Sequence, residues 1–202
     1  RLEDHLINVA NLSERFAEEF GAGEWGYLAG LWHDLGKYHG PWQDFVRQQA
    51  KDHGPDHSST GAIQAQKKMK NLEAMLLAFV TAGHHGGLSD REDLRKRLGE
   101  KAQTLDLLPW ESIPESVRSI DKAPDMPSWL KNIPPDKKEL ENWKRAFEFF
   151  IRFLYSALVD ADFLDTEEFY DKMDEPEEPA KALRQKICLA TMSSYLDQLQ
   201  NY

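Results

Sequence analysis

Along the first twenty positions, apolar residues return every three or four steps. Leu2, Leu6, Val9, Ala10, Phe16 and Phe20 share one side of a helical wheel, and Gly21 and Gly23 follow as a stop signal. The spacing predicts an amphipathic helix. A second helix is predicted through "EWGYLAGLWHDL", ending near Gly36, and Pro41 suits the first turn of a short third one, "PWQDFVRQQ". "KDHGPDHSSTGA" reads as a polar loop and "AIQAQKKMKN" as the next helix. From Leu72 to Ala82 the chain is apolar on nearly all sides, the pattern of a helix buried at the centre of a fold. Gly83, Gly86 and Gly87 open the backbone around His84 and His85. "SDREDLRKRL" then places Ser89 and Glu92 at capping-box spacing.

Six of the ten prolines fall between Pro109 and Pro135. The segment at about 109–135 is read as an irregular excursion, not a domain boundary, because the most apolar helix follows it, roughly "LENWKRAFEFFIRFLYSALVDADFLD". An acidic stretch from Asp165 to Glu178 comes next, then a last amphipathic helix from about Ala180 to Leu199. No strand-like alternation persists and no repeat is visible. The expected fold class is all-α, a globular helical bundle forming a single domain over residues 1–202.

Composition narrows the picture. A chain of 202 residues is long enough for one domain with a sizeable core. With 41% hydrophobic and 30% charged residues it reads as soluble and globular. No apolar run is long enough for a membrane span, and no charged-then-apolar leader opens the chain, so a cytoplasmic setting without membrane contact is expected. The chain opens on Arg1 rather than methionine and is expected to be a piece of a longer protein. The single cysteine, Cys188, excludes an internal disulfide; in "KICLATM" it has core-like helical spacing and reads as a packing residue. A net charge of −10 argues against generic tight binding to nucleic acid, where neutralisation of phosphates by Lys and Arg dominates. It leaves room for an enzyme acting on nucleic acid, because bound divalent cations offset acidic ligands locally.

Several polar groups sit where helix packing favours apolar ones. They are His5, the pair His33–Asp34, His57, the pair His84–His85, and Asp160. Successive helical residues point about 100° apart, so no single packing role explains both His33 and Asp34. Asp160 lies on the most apolar helix, four residues after Ser156 and seven after Phe153. A buried carboxylate is costly unless paired or bound to metal. One shared explanation is that these groups meet around one or two divalent cations; mixed imidazole and carboxylate ligands suit Mn, Fe, Co, Ni or Zn. The lack of cysteine ligands argues against a finger-type structural zinc site. Plainer readings exist for each piece: His5 as a half-buried helix residue, His33–Asp34 as a helix end, His57 as a helix N-terminal residue, His84–His85 as an exposed turn, Asp160 as a solvated helix end. The Asp160 region does not match a calcium loop. His39 and His53 read as solvent-facing histidines, His53 being a competitor for the place of His57.

"HDLGKYHGPWQ" from His33, "HSSTGA" from His57, "GHHGGL" from Gly83 and "SALVDADFLDTE" from Ser156 follow in that order. "HDLGK" with downstream histidines and a late Asp resembles the HD superfamily of metal-dependent phosphohydrolases. The ordered set resembles, over residues 5 to 167, the HD nuclease domain of the CRISPR-associated nuclease-helicase of type I interference systems. Two departures touch no ligand position: Trp42 stands where Phe is common, and Gly61 varies the small-residue step after His57.

The resemblance implies a metal-dependent endonuclease that hydrolyses phosphodiester bonds of single-stranded DNA. It implies His5, His33, Asp34, His57, His84, His85 and Asp160 as ligands of one or two divalent ions (Mn, Ni, Co, Fe or Mg), with Asp34 bridging. Lys37 would hold the scissile phosphate, and Trp42 and Ser156 would lie toward the substrate. The "KKMK" and "RKR" clusters at Lys67–Lys70 and Arg95–Arg97 are further candidates for DNA contact, or solvated helix faces. The implied partners are a helicase module, fused after this domain or separate, and the RNA-guided surveillance complex. Two other functions use the same residues: an HD phosphohydrolase acting on nucleotides or cyclic dinucleotides, and a metal-stabilised helical adaptor without activity.

Overall fold

The computed structural model describes residues 1–48, 54–118, 120 and 122–174. Among the described residues there are eight α-helices, three short 3-10 turns and no strand, in agreement with the all-α expectation. Helix α1 (Leu2–Glu18) buries Leu6, Val9, Ala10, Ser13, Phe16 and Ala17 on one face. Helix α2 (Gly23–Trp32) packs along it. The two approach closely because their contact is built from small residues: a side chain on Gly26 would collide with the Ser13 carbonyl, and one on Gly30 with the Ala10 backbone. α2 stops at Trp32, short of Gly36. His33 and Asp34 form the turn that follows, and a 3-10 turn spans Leu35–Tyr38.

Helix α3 (Gly40–Arg47) carries Pro41 in its first turn, as expected. Helix α4 (Ser58–Lys68) begins directly after His57, earlier than the sequence suggested, and packs on α5 (Asn71–Gly83). α5 is the apolar helix, with Leu76, Leu77, Ala78, Val80, Thr81 and Ala82 all buried. Helix α6 (Arg91–Glu100) is capped by Asp90 and not by Ser89. The Asp90 carboxylate accepts from the backbone N–H of Glu92 at 2.8 Å and of Asp93 at 2.9 Å.

Among its described residues the proline-rich excursion holds a 3-10 turn at Trp110–Ser112 and the short helix α7 (Glu115–Arg118). It is nevertheless well fixed. Ile113, Val117 and Leu130 are buried. Indole N–H groups tie it at four points: Trp32 to Val117 O, Trp25 to Asp125 O, Trp143 to Leu130 O, and its own Trp129 to Phe20 O, at 3.0–3.3 Å. A buried indole needs such an acceptor, so Trp25 and Trp32, both buried, dock the excursion by apolar contact and hydrogen bond together.

Helix α8 (Lys137–Asp174) crosses α1, α2 and α5. Its core face is Phe147, Phe150, Ile151, Leu154, Ala157, Leu158 and Ala161. The acidic residues from Asp165, expected after the helix, continue it as far as Asp174. The predicted last helix at about Ala180–Leu199 and Cys188 lie outside the described residues. No helix among the described residues is long and apolar enough to cross a membrane.

Candidate metal centre

Helices α2 and α5 end in the same way. His33 is the residue at the C-terminal cap of α2, and its Nδ1 lies 2.6 Å from the Gly30 carbonyl. His84 caps α5, with Nδ1 2.6 Å from the Thr81 carbonyl. A carbonyl only accepts, so both Nδ1 atoms donate. Each ring therefore satisfies a last-turn carbonyl that its helix leaves without a partner, and turns Nε2 inward. The two helix C-termini also bring partial negative charge, which favours a cation.

Two more histidines are held by Nδ1. His57 donates to Pro55 O at 3.2 Å, just ahead of α4. Gly36 permits this placement, since a Cβ there would collide with the His57 carbonyl and stand 2.5 Å from its Cα. His5 on α1 pairs through Nδ1 with Asp165 Oδ2 at 2.7 Å, while Asn8 Nδ2 donates to the other oxygen at 2.9 Å. His85 is exposed, and its Nε2 lies 2.9 Å from His57 Nε2.

Asp34 stands in the middle, fully buried like His33. Its Oδ2 is 3.3 Å from His33 Nε2 and 3.5 Å from His5 Nε2. Its Oδ1 is 3.3 Å from His57 Nε2 and 3.4 Å from His84 Nε2. Lys37 makes an ion pair with Oδ2. From α8, Asp162 Oδ1 approaches His5 Nε2 at 3.5 Å and His33 Nε2 at 3.6 Å. Three overlapping ligand groups result, each with its atoms within 4.8 Å: Asp34, His57, His84 and His85; His5, His33 and Asp34; His33, His84 and Asp162.

These residues fit a metal ion. His5 Nε2, His33 Nε2, His84 Nε2 and both Asp34 oxygens are buried, and no well-directed hydrogen bond reaches any of them. A buried polar group left unsatisfied costs about 1–3 kcal/mol; besides Oδ2, which Lys37 neutralises, four such atoms converge here. A divalent cation would satisfy all of them, and the imidazole and carboxylate donors suit a first-row transition metal.

Charge is sharply divided across the cluster. Burial would lower His33, but the carboxylates of Asp34 and Asp162 outweigh it and push it up to about 10. Burial would raise Asp34, yet the charge of His33 and the rings of His5 and His84 hold it well below the usual carboxylate range. Asp162 is lowered for the same reason, burial being outweighed by His33. On the other side, burial and then His84 push His85 down to about 4, and burial lowers His57 against the pull of Asp34.

Of the expected site residues, the fold brings together His5, His33, Asp34, Lys37, His57, His84 and His85. Asp160 is not in the cluster, and Asp162 occupies the place expected for it. The reason is helix phase. Asp162 comes four residues after buried Leu158, and Asp165 four after buried Ala161, whereas Asp160 falls about 200° around the helix from Leu158. Ser156 is exposed on that same far side, away from the cluster. Trp42 stands at the rim, its ring 4.2 Å from that of His57 and 5.6 Å from that of Phe45, with Lys37 Nζ 5.6 Å from its centroid. Gln43 Nε2 fixes the Lys37 backbone by donating to its carbonyl at 2.7 Å. His39 is not solvent-facing: it is 2% exposed, with Nε2 3.2 Å from Thr60 Oγ1. His53 lies outside the described residues. Sequence reasoning missed Asp162, Asp165 and Asn8; the four-residue step from Leu158 and Ala161 is the signal that finds the two aspartates.

The described fold is all-α, and it brings five imidazoles and two carboxylates from α1, α8 and the ends of α2, α4 and α5 into one cluster able to hold a metal ion. The sequence profile of the HD domain matches residues 2–122, and the chain belongs to the HD domain family, whose members are metal-dependent phosphohydrolases. The matched span holds every histidine of the centre together with Asp34 and Lys37; Asp162 and α8 come after it. No curated protein matches the chain as a relative.

Proposed function

We propose that this chain is a metal-dependent nuclease that hydrolyses phosphodiester bonds of single-stranded DNA, the nuclease component of a CRISPR type I defence system. The observation that carries the reading is the open edge of the centre. His85 is exposed, and Lys37 and Trp42 stand half-buried beside it, so the ligand cluster reaches the surface along one side. A strand whose ends lie elsewhere has room to pass across such an edge. The order of "HDLGK", "GHHGGL" and "SALVDADFLDTE" along the chain also supports it.

Asp34, His5, His33, His57, His84, His85 and Asp162 would hold one or two divalent ions. The bound metal supplies Lewis acidity to a phosphoryl oxygen and lowers the pKa of a water. Asp34, with imidazoles near both of its oxygens, would be the central carboxylate ligand. Lys37 pairs with Asp34. With metal held by Asp34, the Lys37 ammonium would be free to meet a phosphate oxygen, where fixed positive charge stabilises the charge of the transition state. Trp42 offers an aromatic edge for base stacking at the rim. With a net charge of −10 the chain has little general affinity for phosphates. Delivery of the strand therefore falls to a helicase module and an RNA-guided surveillance complex, in the cytoplasm.

The test is cleavage of a circular single-stranded DNA with Mn²⁺, Ni²⁺, Mg²⁺ or EDTA, beside the Asp34→Ala variant. Metal-dependent opening of the circle, abolished by the substitution, is the expected result. Hydrolysis of nucleotides or cyclic dinucleotides with the circle left intact would overturn the nuclease reading in favour of a small-molecule phosphohydrolase.

A further inference from the structure

The centre depends on two separate turns staying in register. One, residues 56–58, carries His57 into α4; the other, residues 82–85, carries His84 and His85 out of α5. His57 and His85 come within 2.9 Å across the gap between them. We propose that Arg97 is the positioning residue that sets this register, and so tunes the affinity and geometry of the metal held by His57, His84 and His85. The inference rests on the metal-centre reading above.

Arg97 projects from α6, and its guanidinium spans both turns. Nη1 donates to Ala82 O at 2.8 Å, one of the last carbonyls of α5. Nη2 donates to Ser58 Oγ at 2.7 Å and lies 3.5 Å from Asp56 Oδ2. Asp56 is itself fixed to the start of α4, accepting from Ser59 N at 3.0 Å and Ser59 Oγ at 2.8 Å. The planar guanidinium has its donors at fixed spacing, so binding one turn with each nitrogen fixes the distance between the turns. A lysine ammonium is a compact point charge on a flexible stem and satisfies one turn at a time. Its hydrogen bonds go to Ala82, Ser58 and Asp56 rather than to a ligand ring, so it acts through the segments that carry them. Its donors are turned into the protein, unlike those expected of a DNA-contacting residue, whereas Arg95 and Lys96 beside it are exposed.

Titration of the metal-free protein with Co²⁺, followed by visible absorption, tests this, because the spectrum reports ligand geometry as well as affinity. Arg97→Ala and Arg97→Lys are expected to weaken Co²⁺ binding by about 10- to 100-fold, the usual effect of removing an outer-shell partner, and to alter the spectrum. Ser58→Ala shifts both in the same direction by less, and Arg95→Ala shifts neither. Failure of lysine to rescue separates positioning from a role in surface charge. If Arg97→Ala loses helicity without metal, Arg97→Lys and Ser58→Ala decide. Wild-type affinity and spectrum in those two variants would overturn the inference alone. A wild-type protein that binds no Co²⁺ would overturn the metal-centre reading and the inference with it.

Discussion

Asp34 and Asp162 carry the negative charge that the histidines of the centre surround, and they are not equivalent. Asp34 is fully buried with four imidazole nitrogens within 3.5 Å of its oxygens, while Asp162, from α8, has two within 3.6 Å. Asp162→Asn is expected to weaken metal binding at least tenfold, while Asp160→Asn leaves it within twofold of wild type; titration of both variants with Mn²⁺ or Co²⁺ checks the assignment. Protons follow the same division. His33, raised to about 10 by the carboxylates of Asp34 and Asp162, is cationic at neutral pH and must lose its proton to become a ligand. His57 and His85 are lowered and already neutral there. Metal uptake at pH 7 therefore releases a proton from His33, and affinity strengthens as pH rises from 7 toward about 10. Calorimetric titrations in two buffers of different ionisation enthalpy measure the release; identical heats in both would contradict it.

At the scale of elements, the centre is made where helices stop. α2 and α5 end on His33 and His84, and α4 begins after His57. The turn at Gly36 must lie against the His57 backbone, so Gly36→Ala is expected to destabilise the fold by about 1–3 kcal/mol and to weaken metal binding in the population that still folds. Urea unfolding and metal titration read the two effects separately. On α6, Asp90→Ala is expected to cost about 1 kcal/mol and Ser89→Ala a few tenths at most, because Asp90 holds the two capping bonds. This is also where the sequence was hardest to read. The phase of α1 was plain, since Leu6, Val9 and Phe16 are large and all on one side. The phase of α8 was not: Phe149 and Phe163 are large but exposed, while alanines at 157 and 161 mark the buried face. Counting from Phe153 and Ser156 put Asp160 inward, and counting from Leu158 and Ala161 puts Asp162 and Asp165 there. Ser89 and Asp90 both satisfy a capping pattern, and only backbone geometry chooses between them.

Across the whole molecule, α1, α2, α4, α5 and α8 each place a ligand or its support, so removing the metal releases a constraint on most of the fold. EDTA is expected to lower the melting temperature, and added metal at one hundred times its Kd to stabilise the protein by about 2.7 kcal/mol. A melting temperature unaffected by EDTA in metal-loaded protein would contradict this. The all-α class and the excursion from Pro109 were legible, because period and proline count are local properties. What docks the excursion was not, because the tryptophans at 25, 32 and 143 meet its carbonyls only through tertiary structure. The burial of His39 against Thr60 was hidden for the same reason. The capping by His33 and His84 bears on how such chains diverge. In a descendant that has lost its chemistry, selection for a stable fold still retains both rings, because each closes a helix end. Asp34 closes no helix end; its partners are Lys37 and the imidazoles of the centre itself. Among homologues, drift at Asp34 with the histidines intact would thus be the mark of a lineage that has given up metal.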